Sequence, residues 1–528
     1  MSTEPTKAKK PGTWKSLAWA FTSRRTWSVT LMSFASGMPL GLVWIAIPDW
    51  MRDIGVDIRI VGLLTLAQTP WTFKFVWAPL MDRFVPPLGR RRGWTAIAQL
   101  LLFVAMLALA GVGHHPTTPW VVAALALAIA FAGATQDIAI DAYAVDVLQP
   151  EEQAVAVGAR NALYRAGMQL AGSFSITLAG LWGWPVVNVL LAALYLPTLV
   201  VTWMAPDPGG AASAPKTLKE AVWLPFVGFL TRHRALEILA FVFFYKFADN
   251  LSQALQRPFL NDMGYNEFDR GVVLFFLGLV ANIVGTFIGG MMTQPLGLGR
   301  ALWVFGFFQI FSNAGYALLA RLDEVNRPAM WAAFGFEALS SGLGSGAFLV
   351  LLLRMTQKRF SATQYALFSS LFGLPRIISG PICGFAVWAV GWEVFFWASL
   401  FFGIPGMVLL ARFVPWGTRE VEFKIEPPRT RERLTGWGLA ARGLVGGLVS
   451  LAFAASLTAF LSALKAMKDQ PGSPFDLATP FRALAAPADQ AGWMTFLGIV
   501  LFSVICGLLT AAFVAARRGA GQELELAP

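Results

Sequence analysis

Two aspartates, Asp137 and Asp141, lie one helical turn apart near the end of the apolar stretch 120–145. An ionisable side chain in hydrocarbon costs several kcal/mol, so such residues persist mainly where they line a water-filled path, carry protons or hold a substrate. The spacing of four residues puts both carboxylates on one face of a helix. This pair therefore indicates chemistry of proton or solute movement through a membrane.

The next apolar block supplies cations at matching depth. Two antiparallel helices that meet near residue 150 place residues equally far from the turn at similar depth, which sets Arg160 level with Asp141 and brings Tyr164 and Arg165 near Asp137. At 1.5 Å per residue, Asp137 lies roughly 15 to 20 Å from the turn, close to the middle of a bilayer. The alternative is a purely structural ion pair between Asp141 and Arg160.

A carboxylate whose cationic partner can move away couples proton binding to a conformational change. We therefore predict that Asp137 is the proton or substrate site and that Asp141 is its gating neighbour, with Arg160 and Arg165 as their cations.

Further along the chain, a polar stripe recurs at steps of three and four residues through the apolar block 236–257. Glu337 and Arg376 repeat the acid and base pattern, since both are about equally far from the connection near residue 358. The small-residue run after Glu337 has close helix packing as its commoner explanation and a cavity lining as the alternative. The predicted substrate-binding residues are Gln136, Asn161, Tyr164, Tyr245, Lys246, Asp249, Asn250, Gln253, Glu337 and Arg376.

The short turn APLMDRFVPPLGRRR contains Asp82, Arg83 and Arg90, and a weaker counterpart, GGMMTQPLGLGR, has Thr293 at the aspartate position. The first turn resembles the loop signature of the major facilitator superfamily. We predict that Asp82, Arg83 and Arg90 form a cytoplasmic gate; an ordinary solvated turn is the alternative.

The elements that position these residues are expected to be membrane helices. The 528 residues are 56% hydrophobic and only 13% charged, with a mean hydropathy of +0.60. Blocks of about 20 apolar residues match the roughly 30 Å of a bilayer core, and their continuity favours helices over barrel strands. Fourteen spans are predicted, at 28–48, 60–81, 94–112, 120–145, 154–180, 186–205, 236–257, 271–292, 301–320, 328–353, 362–387, 393–413, 439–465 and 491–516.

The predicted fold is an all-α polytopic membrane protein with two six-helix bundles and two extra C-terminal helices. The even-numbered connections carry most of the Lys and Arg, so both termini are placed in the cytoplasm, in a bacterial inner membrane. The last two spans have almost no interior polar residues. The roles that stay open for them are packing at the edge of the bundle and an assembly contact. The predicted divisions are a basic arm at 1–27, bundles at 28–205 and 236–413, cytoplasmic connections at 206–235 and 414–438, the extra helices at 439–516 and a tail at 517–528.

Several function classes are disfavoured. The net charge of +11 is concentrated in short loops beside spans, which suits anionic lipid and membrane insertion rather than nucleic acid. Cys383 and Cys506 fall inside apolar spans, and the paired His114 and His115 suit a solvated loop, so no metal is expected. The sequence has no P-loop, nucleophile triad or dinucleotide fingerprint, so we expect a non-enzyme without cofactor that uses the proton gradient. No oligomeric state is indicated.

Three segments carry a family resemblance: GATQDIAIDAYAVDVLQPEE, GGMMTQPLGLGRALWVFGFFQIFSNAGYALLA and KRFSATQYALFSSLFGLPRIISGPICGF. Together they resemble the AmpG-type muropeptide permeases over spans one to twelve. The resemblance implies a proton-driven importer of GlcNAc-anhydro-N-acetylmuramyl peptides for peptidoglycan recycling, working by alternating access. It also implies that Gln136, Asp137 and Asp141 are functionally essential.

Two other functions stay open. Acetyl-CoA carriers resemble the same stretch, although a CoA ester needs several cations around its phosphates and those available near mid-membrane are largely paired with acids. A membrane-embedded acyl- or glycosyltransferase also needs intramembrane acids, but usually shows a catalytic His or Asp cluster and a sizeable external domain.

Overall fold

The structure, a computed structural model, is helical, and it contains no β-strand among the residues it describes. The described residues are 13–56, 67, 69–113, 119–208, 215–322, 324–424, 434–469, 474–488 and 490–518. We refer to residues 13–208 as the first segment, 215–424 as the second segment and 434–518 as the final segment.

The first segment alternates long helices with short pieces. Its helices are α1 Thr13–Thr22, α2 Arg24–Asp53, α3 Thr69–Phe73, α4 Ala78–Arg83, α5 Arg90–Gly111, α6 Pro119–Val147, α7 Pro150–Gln169, α8 Ser175–Trp182 and α9 Trp184–Met204. A π-turn, Leu170–Phe174, joins α7 to α8 without interrupting the helical run, and a 3₁₀ turn, Lys74–Val76, separates α3 from α4.

The second segment begins with a connecting helix and contains two broken or bent spans. Its helices are α10 Leu218–Leu230, α11 Ala235–Phe244, α12 Phe247–Ala254, α13 Gln256–Asp262, α14 Phe268–Met292, α15 Leu298–Ala320, α16 Arg327–Met355 and α17 Ser361–Phe413. Within α17 the backbone leaves the helical region at Gly391, whose φ of 77° suits a residue without a side chain. The final segment holds α18 Gly436–Asp469, α19 Ala478–Ala485 and α20 Gln490–Arg517.

Ten helices in the described part of the chain are long and apolar enough to cross a membrane. Ten of the fourteen predicted spans correspond to them, and the blocks 60–81, 154–180, 236–257 and 362–387 do not. The physical reasons differ. Residues 60–66 and 68 lie outside the described part and residues 69–81 form short helical pieces. Helix α7 carries many polar side chains, and the chain from α11 to α13 is interrupted twice. The fourth block forms part of the helical α17.

Glycines let several helices approach backbone to backbone. A Cβ placed on Gly37 of α2 would lie 1.9 Å from the Tyr164 carbonyl oxygen of α7. Gly342 and Gly346 of α16 are equally tight against α14, where added Cβ atoms would lie 2.5 Å and 2.3 Å from backbone oxygens. The close-packing explanation of the small-residue run after Glu337 is therefore confirmed for these two glycines.

The last two long helices pack on each other and then on the second segment. A Cβ on Gly507 of α20 would lie 2.7 Å from the Gly443 oxygen of α18. Helix α20 also packs along α10, with Ala512, Ala515 and Ala516 buried. The position of this pair beside the connecting helix fits the predicted packing at the bundle edge.

Candidate functional site

Four charged side chains of the first segment form one cluster, which we call the charged tetrad: Lys74, Asp137, Asp141 and Arg160. Lys74 forms an ion pair with Asp137, and its Nζ lies 3.2 Å from the Asp141 carboxylate. Arg160 donates to the other oxygen of Asp141. Two cations and two carboxylates compensate each other, which is the condition for holding charges at this depth.

The elements around the tetrad explain how it is held. Helix α6 presents Asp137 and Asp141 from one face, and the adjacent α7 supplies Arg160 from the same distance beyond their common turn. The contact expected between Asp141 and Arg160 from equal spacing is present. Lys74 lies on the 3₁₀ turn between α3 and α4, so its backbone is not part of an α-helical ladder.

The tetrad is not sealed. The side chains of Asp137 and Arg160 each retain 14% of their exposure, whereas those of Lys74 and Asp141 retain 6% and 8%. Exposing an ionised group to lipid is costly, so these openings suit a hydrated space between helices. Asp137 is thus the carboxylate of the tetrad that is more open to such a space.

Neighbouring polar groups complete the surroundings of the tetrad. Ser36 of α2 donates to Asp137 Oδ1 at 3.0 Å. Tyr365 of α17 is buried within electrostatic reach of Asp141 and Arg160, which brings the second segment beside the tetrad. Sequence reasoning singled out neither residue, although Tyr365 lies in the FSATQYAL run that carries the family resemblance.

A second polar cluster lies in the second segment around Glu337 of α16. Gln253 donates to Glu337 Oε1 at 2.8 Å, and Tyr316 donates to Oε2 at 3.0 Å. Gln256 lies 2.7 Å from the Tyr316 hydroxyl and 3.4 Å from Glu337 Oε2. Gln253 was predicted from the polar stripe of its helix, whereas Tyr316 comes from α15 and was not singled out.

Lys246 and Asp249 form an ion pair, with Lys246 immediately before the first residue of α12 and Asp249 within that helix. The Lys246 ammonium lies 2.8 Å from Asp249 Oδ2 and donates to the Ser341 carbonyl oxygen at 2.8 Å. Both side chains are almost fully buried, so they neutralise each other and tie α12 to α16.

Other predicted substrate-binding residues lie in varied surroundings. Asn161 and Tyr164 are partly exposed on α7, on the side of Arg160. Asn250 is partly buried and donates to the Lys246 carbonyl oxygen of its own helix. Arg165 is partly buried on α7. These positions are compatible with the predicted site and assign no role.

Two predicted site residues are buried, and the side chain of a third is not described. Tyr245 is buried, donates to the Leu302 carbonyl oxygen at 2.9 Å and stacks on Phe348, so its place in the core argues against the predicted substrate contact. Gln136 is completely buried, which argues against direct contact in this conformation. The side chain of Arg376 lies outside the described residues, and with it the expected match to Glu337.

The first and second segments are joined by a polar cluster at the start of α17, which we call the inter-segment cluster: Asp82, Arg90, Arg91, Asp146, Ser361 and Thr363. Asp82, fully buried, accepts from the Thr363 backbone N–H at 2.8 Å and from its hydroxyl at 2.6 Å. The Ala362 N–H lies 3.3 Å from the other oxygen. A carboxylate of one segment therefore caps a helix of the other.

Two arginines complete this cluster. Arg91 lies 2.6 Å from Asp82 and 2.8 Å from Asp146, and it donates to Ser361 at 2.6 Å. Arg90 donates to the carbonyl oxygens of residues 358 and 359 at 3.0 Å each. Arg83, predicted to share the gate, instead lies over the ring of Phe84, whereas Arg90 and Arg91 both contact the second segment.

A second seam between the two segments depends on small residues. A Cβ on Gly158 of α7 would lie 2.6 Å from the Phe287 Cα of α14, and one on Gly290 would lie 2.7 Å from the Ala154 oxygen. Both seams lie toward the same end of the helices, since α7 begins at Pro150 just after Asp146. The two segments are therefore in contact at this end of the molecule.

The fold and these polar clusters define a helical membrane transporter, and residues 29–380 match the family model of the Major Facilitator Superfamily, to which the chain belongs. Over 393 residues it is 40% identical to a protein of Escherichia coli strain K12 called anhydromuropeptide permease, which covers 74% of this chain and 80% of that protein. It thus shares a family with that permease within the superfamily.

Two further relatives are similar to this chain over most of their length. A protein of Haemophilus influenzae without an assigned function is 34% identical over 72% of this chain and 92% of its own length. A putative transporter called AmpG 4 from Rickettsia felis is 25% identical over 74% of this chain and 96% of its own.

Solved structures share the fold. The human organic anion transporter MFSD10 superposes with a TM-score of 0.53 at 14% identity, covering 76% of this chain and all of that one. A bacterial homologue of the iron transporter ferroportin, in an outward-facing state, gives a TM-score of 0.52 at 15% identity over 73% and 98%.

Proposed function

We propose that this protein is a proton-coupled secondary transporter that imports GlcNAc-anhydro-N-acetylmuramyl peptides into the cytoplasm for peptidoglycan recycling. The observation that carries the proposal is the charged tetrad, in which Asp137 is partly open and paired with a lysine on a helical break. The 40% identity to the anhydromuropeptide permease supports the choice of substrate.

The mechanism follows from charge balance. When a proton neutralises Asp137, Lys74 keeps only Asp141 as an acidic partner, at 3.2 Å. Arg160 also binds Asp141, so two cations then share one carboxylate, and Lys74 is free to move with the turn that carries it. Proton binding would in this way loosen one side of the tetrad and favour rearrangement between the segments.

The polar surfaces suit a sugar peptide. Gln253 is exposed beside Glu337 and offers an amide for N-acetyl and peptide groups, while the partly exposed Tyr164 offers an aromatic face. A small-solute carrier of another substrate, such as acetyl-CoA, is the alternative, since a shared fold does not fix the solute.

The arrangement in the membrane is also proposed. Fourteen spans, in two bundles of six plus two, would place both termini in the cytoplasm of a bacterial inner-membrane protein. Support comes from the basic residues near the inter-segment cluster, since Lys and Arg concentrate on the cytoplasmic side. Under this arrangement the inter-segment cluster closes the cytoplasmic side.

The test is uptake of labelled anhydromuropeptide into proteoliposomes under an imposed proton gradient. For Asp137→Asn we expect accumulation to fall to the level of protein-free vesicles, because the residue can no longer take up a proton. Asp49→Asn makes the same change at an exposed position and serves as the control. Equal accumulation by Asp137→Asn and wild type would remove Asp137 from proton coupling, and preference for acetyl-CoA in competition would favour the alternative substrate.

A further inference from the structure

An open cavity of about 380 Å³ lies between α13 and α14, lined by Arg257, Arg270, Gly271, Leu274 and Phe275. A volume of this size is in the range of small-ligand sites. Two guanidinium groups face it together with an apolar chain and an aromatic ring. This combination suits an anionic group attached to a less polar body.

The cavity lies at the opposite end of the molecule from the inter-segment cluster. The chain enters α11 at Ala235 beside that cluster, since Arg232 donates to the Met355 carbonyl oxygen, and then runs through α11 to α13 away from it. Helix α14 returns, and just beyond its end Gln294 donates to the Glu151 carbonyl oxygen. The cavity therefore belongs to the end where the inter-segment cluster does not join the segments.

Two acids near the cavity, Asp262 and Asp269, bind other side chains. Asp269 receives Arg327 Nε at 2.9 Å and 3.0 Å, and Asp262 accepts from the Trp392 indole at 2.9 Å. Arg270 Nη1 donates to Asn261 Oδ1 at 2.5 Å. These contacts orient Arg270 and keep two nearby carboxylates turned to other partners.

Arg257 connects the cavity to the polar cluster of the second segment. It lies four residues beyond Gln253, across the break at Leu255 that separates α12 from α13, and Gln253 binds Glu337. Both Arg257 and Gln253 are exposed. An anion held at Arg257 would have the rest of a bound molecule within reach of Gln253.

We propose that Arg257 and Arg270 form an entry site that binds a carboxylate of the incoming substrate before it reaches the charged tetrad. This inference rests on the proposed function and adds to it the group that is recognised first. A phospholipid headgroup offers the same anionic chemistry, and the experiment separates the two sources.

The experiment measures initial uptake rates in proteoliposomes for an anhydromuropeptide and for the same compound with its carboxylates converted to amides. For Arg257→Gln and for Arg270→Gln we expect the KM of the acidic compound to rise about threefold to fivefold each, as for an exposed ion pair. The kcat and the KM of the amide should not change. Arg257→Lys should recover part of the loss because it keeps the charge.

The matched control is Arg321→Gln, which removes one positive charge from an exposed pair with Glu393 outside the cavity. The proposal is overturned if Arg321→Gln raises KM equally, or if the acidic and amide compounds respond alike. It is also overturned if the effect occurs only in vesicles that contain anionic lipid, because the anion is then a headgroup.

Equilibrium binding separates this inference from the proposed function. N-Acetyl-alanyl-alanine and its amide are titrated into the detergent-solubilised protein and binding heat is measured. If wild type transports no muropeptide but binds the acid more tightly than the amide in an Arg257-dependent way, the proposed function fails and the entry site stands. Absence of both transport and carboxylate-dependent binding overturns both.

Discussion

Replacing Asp82 with Asn tests whether the inter-segment cluster holds the first and second segments together. Asp82 is fully buried and accepts hydrogen bonds from Arg91, from Thr363 twice and from Ala362. Each carboxylate oxygen receives donors, so an amide must turn its NH₂ toward donors on one side. The substitution therefore breaks the charged pair and part of the helix cap without changing the shape of the side chain.

The expected cost can be bounded from these contacts. Removing one partner of a buried ion pair costs about 3 to 5 kcal/mol, because the remaining charge is left buried. Arg91 keeps Asp146 at 2.8 Å, which places the expected value near the lower bound. Since these contacts exist only while the segments touch here, about 3 kcal/mol shifts the equilibrium between closed and open forms by roughly two powers of ten.

The assay is a distance measurement between spin labels by pulsed electron resonance. Labels at Leu88→Cys and Lys358→Cys report on the two sides of the inter-segment cluster, and both native side chains are exposed. Asp207→Asn is the control, because Asp207 pairs with Arg92 inside the first segment at 3.0 Å. We expect Asp82→Asn to populate longer distances and Asp207→Asn to match wild type. Identical distance distributions in all three proteins would refute the reasoning.

Two further predictions concern the charged tetrad and the glycine seam. Arg160→Ala leaves the tetrad one negative charge in excess, so we expect uptake to fall about tenfold. Adding Asp141→Asn restores neutrality, and it restores most of the uptake if the pairing of these two residues is structural. If the double variant takes up no more substrate than Arg160→Ala, the pair has a direct role in transport. Gly158→Val places a side chain against the Phe287 backbone, where even a Cβ would lie 2.6 Å away. The same spin labels should then show a larger open population, and an unchanged distribution would mean that the seam does not limit closure.

Some contacts of the site followed from the sequence because they depend only on helix geometry. Asp141 meets Arg160 since both lie equally far from a tight turn between antiparallel helices of equal rise. The polar stripe of α12 and α13 likewise predicted that Gln253 would meet other polar groups. The all-helical membrane fold followed from long apolar blocks.

Other contacts have no signature in a single sequence. Nothing in the sequence placed Lys74 beside Asp137, because the register of Lys74 depends on the 3₁₀ turn that separates α3 from α4. The partner of Asp82 at Thr363 lies 281 residues away, and only the docking of two segments brings them together. The buried position of Tyr245 could not be predicted, because an aromatic residue beside a polar stripe fits a core as well as a binding site.

The same polar residues also explain why the span count differs. Where the chain carries Arg160, Asn161 and Arg165 in one helix, mean hydropathy falls although the helix continues from Pro150 into the π-turn. A helix long enough to cross a bilayer can thus have a low mean hydropathy because it carries polar site residues.

Helix α10 lies in the connection between the segments and packs against helices of both. It packs on α4 and α17 beside the inter-segment cluster, and Gln364 donates to its Pro225 carbonyl oxygen at 2.9 Å. On its other side it carries α20, which in turn holds α18. Movement of one segment against the other would therefore displace α10, and α20 and α18 would be affected through their packing on it.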